Sequence, residues 1–197
     1  MNKKFYLLPI LLLVLVFTSC EETKEAGKYD NWRARNEAFI DSIANAYANT
    51  PNHGGLDSIR LISDPYAFIY YKKKTPVVPE GQEPVYGATP LYTDSVTVYY
   101  KGSYINKDMF DGNFDGVDPS LDFSRTTAFN VNEVVVGWTE ILQRMRVGER
   151  WEVYIPYKFG YGTSDYTAPY SSLTIPAYST LVFDIQLLTI EKRKTLN

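Results

Sequence analysis

VVVGWTEILQRMRVGERWEVYIP, residues 134–156, carries two kinds of periodicity in one short span. Trp138, Ile141, Leu142 and Met145 stand at i, i+3, i+4 and i+7, a complete apolar stripe on a helix expected over Trp138 to Arg146. Glu140 falls in its first turn, Arg144 and Arg146 in its last, as the helix dipole prefers. Gly148 suits the left-handed residue that ends such a helix. Trp151, Val153 and Ile155 then alternate, as on a strand with one buried face. A helix this short is marginal in water, so a sheet has to hold it. Trp138, just after Gly137 at the helix head, is either one more core side chain or part of the floor of a site.

Strand patterns flank this stretch. Phe68 to Lys72 is one; Ser95 to Ile105 alternates, with Val96, Val98 and Tyr100 on one face and Thr97, Tyr99 and Lys101 on the other. Thr180 to Ile190 places Leu181, Phe183, Ile185 and Leu187 together. Thr75 to Pro90 holds four of the 11 prolines and reads as a long exposed loop. The expected fold is α+β: a twisted antiparallel sheet wrapped on one short helix, preceded by an N-terminal amphipathic helix. That first helix is expected over Asn31 to Asn49, capped by Asp30 or Asn31, with Trp32, Ala34 or Arg35, Phe39, Ile43 and Ala46 or Tyr47 on its apolar face. Its stripe must pack on the following domain or on a second copy of the chain as a homodimer.

Residues 1–19 read as an export signal: Lys3 and Lys4 precede an apolar run from Phe5 to Phe17, too short to span a membrane. Phe17-Thr18-Ser19-Cys20 resembles a bacterial lipobox, with Phe17 where Leu is usual. Cys20 is the single cysteine, so an intramolecular disulfide is excluded and lipidation is the expected use of the thiol. Glu21 to Lys28 is a polar tether that resembles the surface-export signals of some lipoproteins. The division expected is 1–19 signal, 20–56 tether and helix, 57–192 domain, 193–197 tail. The location implied is a bacterial envelope, lipid-anchored at Cys20, periplasmic or surface-facing, with the outer membrane favoured. Loss of Lys3 and Lys4 takes the 20 basic residues to 18 against 23 acids, a formal net charge of −5. With no basic patch, nucleic acid is a poor partner.

The lone histidine, His53, lies in a Gly-rich turn, so no Ser-His-Asp or Cys-His set is visible. No Cys/His cluster and no phosphate-cradling glycine loop occurs. No cofactor is implied. Asp111, Asn113 and Asp115, with Asp122 at the twelfth position, fit the start of a calcium loop. Asp replaces the usual bidentate Glu, Pro119 falls inside, and no helices flank it. An Asp/Gly-rich turn is the preferred reading, with no metal.

Several separated motifs resemble the FKBP-type peptidyl-prolyl cis-trans isomerases, over roughly Asp57 to Lys192. They are VTVYYKG (Val96 to Gly102), MFD (Met109 to Asp111), the opening stretch, GYG (Gly160 to Gly162) and IPAYSTLVFDIQLL (Ile175 to Leu188), in the family's order. The resemblance implies an FKBP-like sheet curled on a short helix, with an apolar pocket between them. Carried over by position, the catalytic set is Tyr100, Phe110, Asp111, Trp138, Tyr161 and Phe183, with Phe129, Val134, Val135 and Ile175 binding substrate. Trp138 would be the floor, and the Val135 N–H and Tyr161 hydroxyl the donors to a bound peptide. Most of these side chains would serve a core equally well; Asp111, after an aromatic, and Tyr161, between glycines, have less packing value. The chain departs from the family in a longer stretch from Phe110 to Phe129, in Thr127 where an aromatic is usual, in Gly160 for alanine, and in a longer loop Thr163 to Thr174. The resemblance implies prolyl isomerisation of exported clients that contain proline; the alternative is a non-catalytic binding or chaperone module for such segments, with or without a calcium-ordered loop.

Overall fold

The longest pairing in the molecule joins two of the strands anticipated above. The computed structural model describes residues 27–169 and 173–192; the signal region, Cys20 and the tail 193–197 lie outside them. Helix α1 (Trp32–Asn49) runs into a 3-10 turn (Pro51–Gly55). Strands β1 (Asp57–Arg60), β2 (Phe68–Lys74), β3 (Ser95–Ser103), β4 (Met109–Gly112) and β5 (Thr127–Asn130) precede helix α2 (Val136–Leu142). Strands β6 (Arg150–Ile155), β7 (Tyr166–Thr167), β8 (Thr174–Ile175) and β9 (Leu181–Glu191) complete the order. The sheet runs β1-β2-β6-β9-β3-β4, antiparallel throughout, and β7 and β8 form a separate small hairpin.

β3 pairs with β9 from Ser95 to Ser103. Its other edge is shared: Ser95 to Val98 pair with β5, and Lys101 to Ser103 with β4. Asn113 fills the junction. Its Oδ1 accepts the Tyr100 N–H at 2.9 Å, and its Nδ2 donates to Val98 O and to Thr127 Oγ1, each at 3.0 Å. One side chain thus satisfies the backbone where neither strand reaches.

α2 packs on the inner face of the sheet. Ile141, Leu142 and Met145 are fully buried, as are Val96, Val98, Ile155, Leu181, Ile185 and Leu187, so the expected stripe and alternations form one core. A Cβ on Gly137 would sit 2.5 Å from Ile155 Cγ2, so a glycine is what lets the helix come this close. Gly148 has the expected left-handed φ of +88°, but it lies beyond the helix end at Leu142 and does not terminate it; a Cβ there would sit 2.3 Å from Val85 O. The helix itself is shorter and earlier than the sequence pattern suggests, ending at Leu142, with Gln143 to Met145 continuing as turn.

Glu140 is not a dipole partner in the first turn. It is buried, and its carboxylate accepts the N–H groups of Ile62 (3.0 Å) and Ser63 (2.9 Å) while Arg144 Nη1 pairs with it at 2.8 Å. Arg144 donates to Glu140 O in the last turn of α2 at 2.5 Å, the helix-end role expected of it, and also reaches Arg60 O, whereas Arg146 donates to Gly87 O away from the helix. Tertiary backbone groups out-compete the dipole because their demand for a buried acceptor is larger.

From Asn31 onward the described residues pack as one compact unit; residues 27–30 form a turn of their own, closed by the Gly27 N–H on the Asp30 carboxylate. α1 docks on its own domain, the first of its two expected fates. Its buried positions are Trp32 and Asn36, with Phe39, Ile43 and Tyr47 half-buried; Ala34 and Arg35 are exposed. Asn31 sits at the N-cap with φ 51° and no side-chain capping bond, so the expected cap is not made. Phe39 meets Tyr154 on the outer face of β6, and Tyr47 meets Tyr70 on β2. No described helix is long and apolar enough to cross a membrane.

That outer face also buries Arg150, 2% exposed. Its guanidinium makes two bonds to Asp184 (2.8 and 2.7 Å), one to Asp118 (2.6 Å) and one to Val117 O (3.0 Å). Lys74 adds a second cation on Asp184 at 2.6 Å. The long connection between β4 and β5 is thereby fastened across the sheet.

Two outcomes follow from these buried charges. Arg150→Met leaves Asp184 with Lys74 alone and is expected to cost about 3–5 kcal/mol in urea unfolding, as broken buried pairs do; pairing it with Asp184→Leu recovers most of the loss. Glu140 behaves differently with pH. Burial pushes its carboxyl up, but the N–H groups of Ser63 and Ile62 together with Arg144 outweigh that and hold it below the ordinary value. A depressed folded-state pKa stabilises above the unfolded value and ceases to do so as pH falls through the folded one. Wild-type stability should therefore decline below about pH 4.5, and Glu140→Gln should flatten that acid limb in unfolding curves taken across pH.

Candidate active site

Between α2 and the strands β3, β5 and β9 lies a cleft of about 250 Å³. Val134 and Val135 enter it from the segment leading into α2, and Trp138 from the first turn of that helix. Tyr100 comes from β3, Asp111 from β4, Phe129 from β5 and Phe183 from β9. Tyr161 closes one side from the turn after Phe159.

Trp138, 4% exposed, is ringed by edge-on aromatics: Phe183 at 5.1 Å, Phe129 at 5.3 Å and Tyr100 at 5.5 Å between centroids. Such T-shaped contacts match ring edges to ring faces and lock the indole plane. The Trp138 Nε1–H is buried with no acceptor among the described residues, as is that of Trp151.

Polar groups are few and aimed. The Tyr100 hydroxyl donates to Asp111 Oδ1 at 3.0 Å, and the Gly112 N–H to the same oxygen at 2.8 Å. Burial, then the Asp111 charge, pushes the Tyr100 hydroxyl far above its ordinary pKa. Burial, then Tyr166 and Asp111, raises that of Tyr161. Both phenols therefore stay protonated near neutral pH and keep a proton to donate. Val135 occupies the N-cap of α2, where backbone N–H groups have no intrahelical acceptor.

Eight of the ten expected pocket residues meet here. Phe110 and Ile175 do not line the cleft. Phe110 packs edge-on against Phe183 at 5.5 Å, and Ile175 is 3% exposed within the core. Two lining residues had no sequence signal. Glu133 stands at the rim, held by Asn130 Nδ2 at 2.8 Å, and Tyr166 stacks on Tyr161 at 4.3 Å. Tyr166 belongs to the lengthened loop, and only the β7–β8 hairpin brings it back over the cleft.

The calcium pattern disperses. Asp111 serves Tyr100, Asn113 bridges the strand junction, Asp115 is exposed on the far side of β4, and Asp122 is exposed in a turn. Among the described residues no cluster of three metal-type ligands forms. Asp111 and Asn113 already commit a side-chain oxygen each to Tyr100, the first to its hydroxyl and the second to its N–H. A larger groove of about 510 Å³ separates α1 from the outer sheet face, but it mixes Lys74, Lys101 and Lys107 with Asp115, Glu152 and Asp184 and lacks the aromatic enclosure.

Comparison with known proteins agrees with the cleft. Residues 87–188 match the family model described as FKBP-type peptidyl-prolyl cis-trans isomerase. The chain is 38% identical over 106 residues to the FKBP-type peptidyl-prolyl cis-trans isomerase FkpA of Aeromonas hydrophila, covering 54% of this chain and 35% of that protein. It is 39% identical over 104 residues to the FKBP-type 22 kDa isomerase of Escherichia coli, covering 53% and 45%. A protein of Legionella longbeachae named outer membrane protein MIP is 36% identical over 106 residues, 54% of this chain and 40% of that one. The chain thus spans less than half the length of these relatives. The crystal structure of FkpA from Escherichia coli superposes with a TM-score of 0.58 at 25% identity, over 82% of this chain and 62% of that one. By its matched segment, its sheet curled on α2 and its aromatic cleft, the chain belongs to the FKBP-type peptidyl-prolyl cis-trans isomerase family.

Proposed function

We propose that the chain is a peptidyl-prolyl cis-trans isomerase acting on proline-containing segments of exported proteins. The observation that carries this reading is the aromatic enclosure of Trp138 by Tyr100, Phe129 and Phe183 at the floor of the cleft. An Xaa-Pro amide isomerises over tens to hundreds of seconds because twisting its C–N bond costs about 18–20 kcal/mol of resonance. The twisted amide is less polar than the planar one, so a dry aromatic pocket favours it. In this reading the prolyl ring rests on the Trp138 face, and the Val135 N–H and Tyr161 hydroxyl hold the neighbouring peptide oxygens. Asp111 fixes Tyr100 and sets a negative wall. The reaction breaks no covalent bond, so no nucleophile or general base is called for; each tenfold of rate asks for about 1.4 kcal/mol of preference for the twisted state.

A second reading is a module that holds proline-containing segments without turnover. It is favoured by the β4–β5 connection, where Phe123 is 88% and Val117 80% exposed, an apolar surface available to a client. The domain is assigned to 57–192, extended by α1. We further infer that Cys20, after cleavage of residues 1–19, carries acyl chains that hold the protein at a bacterial envelope membrane. The Phe17-Thr18-Ser19-Cys20 sequence supports this, and the relative named outer membrane protein MIP is consistent with it.

Refolding of a proline-limited substrate protein separates the readings. Catalytic amounts of the chain should accelerate the slow phase, whereas an unchanged slow phase at stoichiometric amounts would sink the enzyme reading. Trp138→Ala should remove most of the acceleration and lower unfolding free energy by about 3–5 kcal/mol; a loss of stability alone would mean the ring is core and not floor. For the anchor, Cys20→Ser should abolish palmitate labelling in cells and release the protein from the membrane fraction.

A further inference from the structure

We propose that α1 is a positioning element for the pocket, fixing the two segments that carry Tyr161 and Ile175. The functional weight of this rests on the isomerase reading. α1 lies outside the matched residues 87–188, so nothing in the family match accounts for it.

The contacts are specific. Trp32 Nε1–H donates to Ser179 Oγ at 2.9 Å, and that hydroxyl donates in turn to Pro176 O at 2.6 Å, next to Ile175. Asn36 is fully buried. Its Oδ1 accepts the Thr180 N–H at 2.7 Å, and its Nδ2 donates back to Trp32 O at 2.7 Å. A buried amide on a helix face is costly unless it is bonded, and here its oxygen ends on the Thr180 N–H, at the backbone leading out of the pocket wall. On the other side, the Tyr157 hydroxyl donates to Glu37 at 3.3 Å. Tyr157 O accepts the N–H groups of Gly160 and Gly162, the residues on either side of Tyr161.

The two segments are also tied to each other. The Tyr178 N–H donates to Gly162 O at 3.0 Å, and the Ala177 N–H to Asp165 Oδ1 at 2.8 Å. Tyr178 holds φ +61°, a left-handed conformation that a side chain keeps only when its surroundings over-determine it. Those surroundings come from both sides: Tyr157 lies edge-on to its ring at 5.1 Å, and Arg33 of α1 sits over it at 4.7 Å. Docking of α1 thus sets the spacing between the Tyr161 turn and the strand entry after Ile175. Trp32, Asn36 and Glu37 are positioning residues; none touches the cleft.

The test uses the purified full chain, a proline-containing tetrapeptide as substrate, and Asn36→Ala, Trp32→Phe and Phe39→Ala variants, all assayed well below their melting temperatures. Phe39 is the control, because it meets Tyr154 on the outer sheet face. Asn36→Ala and Trp32→Phe should lower kcat/KM by about tenfold and speed amide exchange at Tyr178 and Gly162. Phe39→Ala should lower the melting temperature and change neither. Unchanged kcat/KM in both pocket-side variants overturns the proposal, whatever their stability, and so does an equal loss in Phe39→Ala. Should Asn36→Ala not fold, Trp32→Phe decides, since it keeps a ring in place. An inactive wild-type chain would refute the isomerase reading instead; exchange at Tyr178 and Gly162 then decides the positioning role, faster in the variants supporting it and unchanged overturning it.

Discussion

A helix of seven residues has no stability of its own, and the rest of the molecule is arranged around holding it. Three unlike contacts do so. Gly137 admits Ile155 of β6 to the helix backbone, Glu140 takes the N–H groups of Ile62 and Ser63, and the rings of Tyr100, Phe129 and Phe183 close on Trp138. Two tie α2 to strands of the sheet, and the Glu140 contact ties it to the connection between β1 and β2. The cleft floor is therefore also the point where the curled sheet is gathered. Trp138 lines the cleft while its ring packs against Tyr100, Phe129 and Phe183.

The parts of this arrangement that the sequence discloses are those with a local period. Ile141, Leu142 and Met145, and the alternating Val96, Val98, Leu181, Phe183 and Ile185, could be assigned to a core from spacing alone. Most of the pocket was legible through the order of several separated motifs. Polar residues whose partners lie far along the chain were not. Glu140 looks like a dipole residue and Asn36 like part of a solvated face, yet both are buried against backbone groups from distant segments. Tyr166 could not be placed before the path of its loop was known. The calcium-like run is ambiguous for a related reason: spacing names ligand types but not the partners, here Tyr100 for both Asp111 and Asn113, that already engage them.

The outer face of the sheet shows how such polar residues are accommodated. β9 alternates apolar side chains inward with Asp184 and Gln186 outward, and both outward residues are buried. Arg150 and Lys74 neutralise Asp184, while Gln186 exchanges two bonds with the backbone of Val77 at 2.8 and 2.7 Å. The proline-rich loop and the β4–β5 connection are thus laid over the sheet as covers, each fastened by a side chain of the face it covers.

Asn113 has a consequence for how this chain can vary. By completing the edge of β3 itself, it makes the meeting of β4 and β5 independent of whatever chain runs between them. Phe114 is buried and Val117 O and Asp118 serve Arg150, so it is the part of the connection beyond Asp118 that can change in length or character while the strand register, and with it Asp111 and Phe129, stays fixed. That outer part of the connection is separable from the frame that carries the cleft.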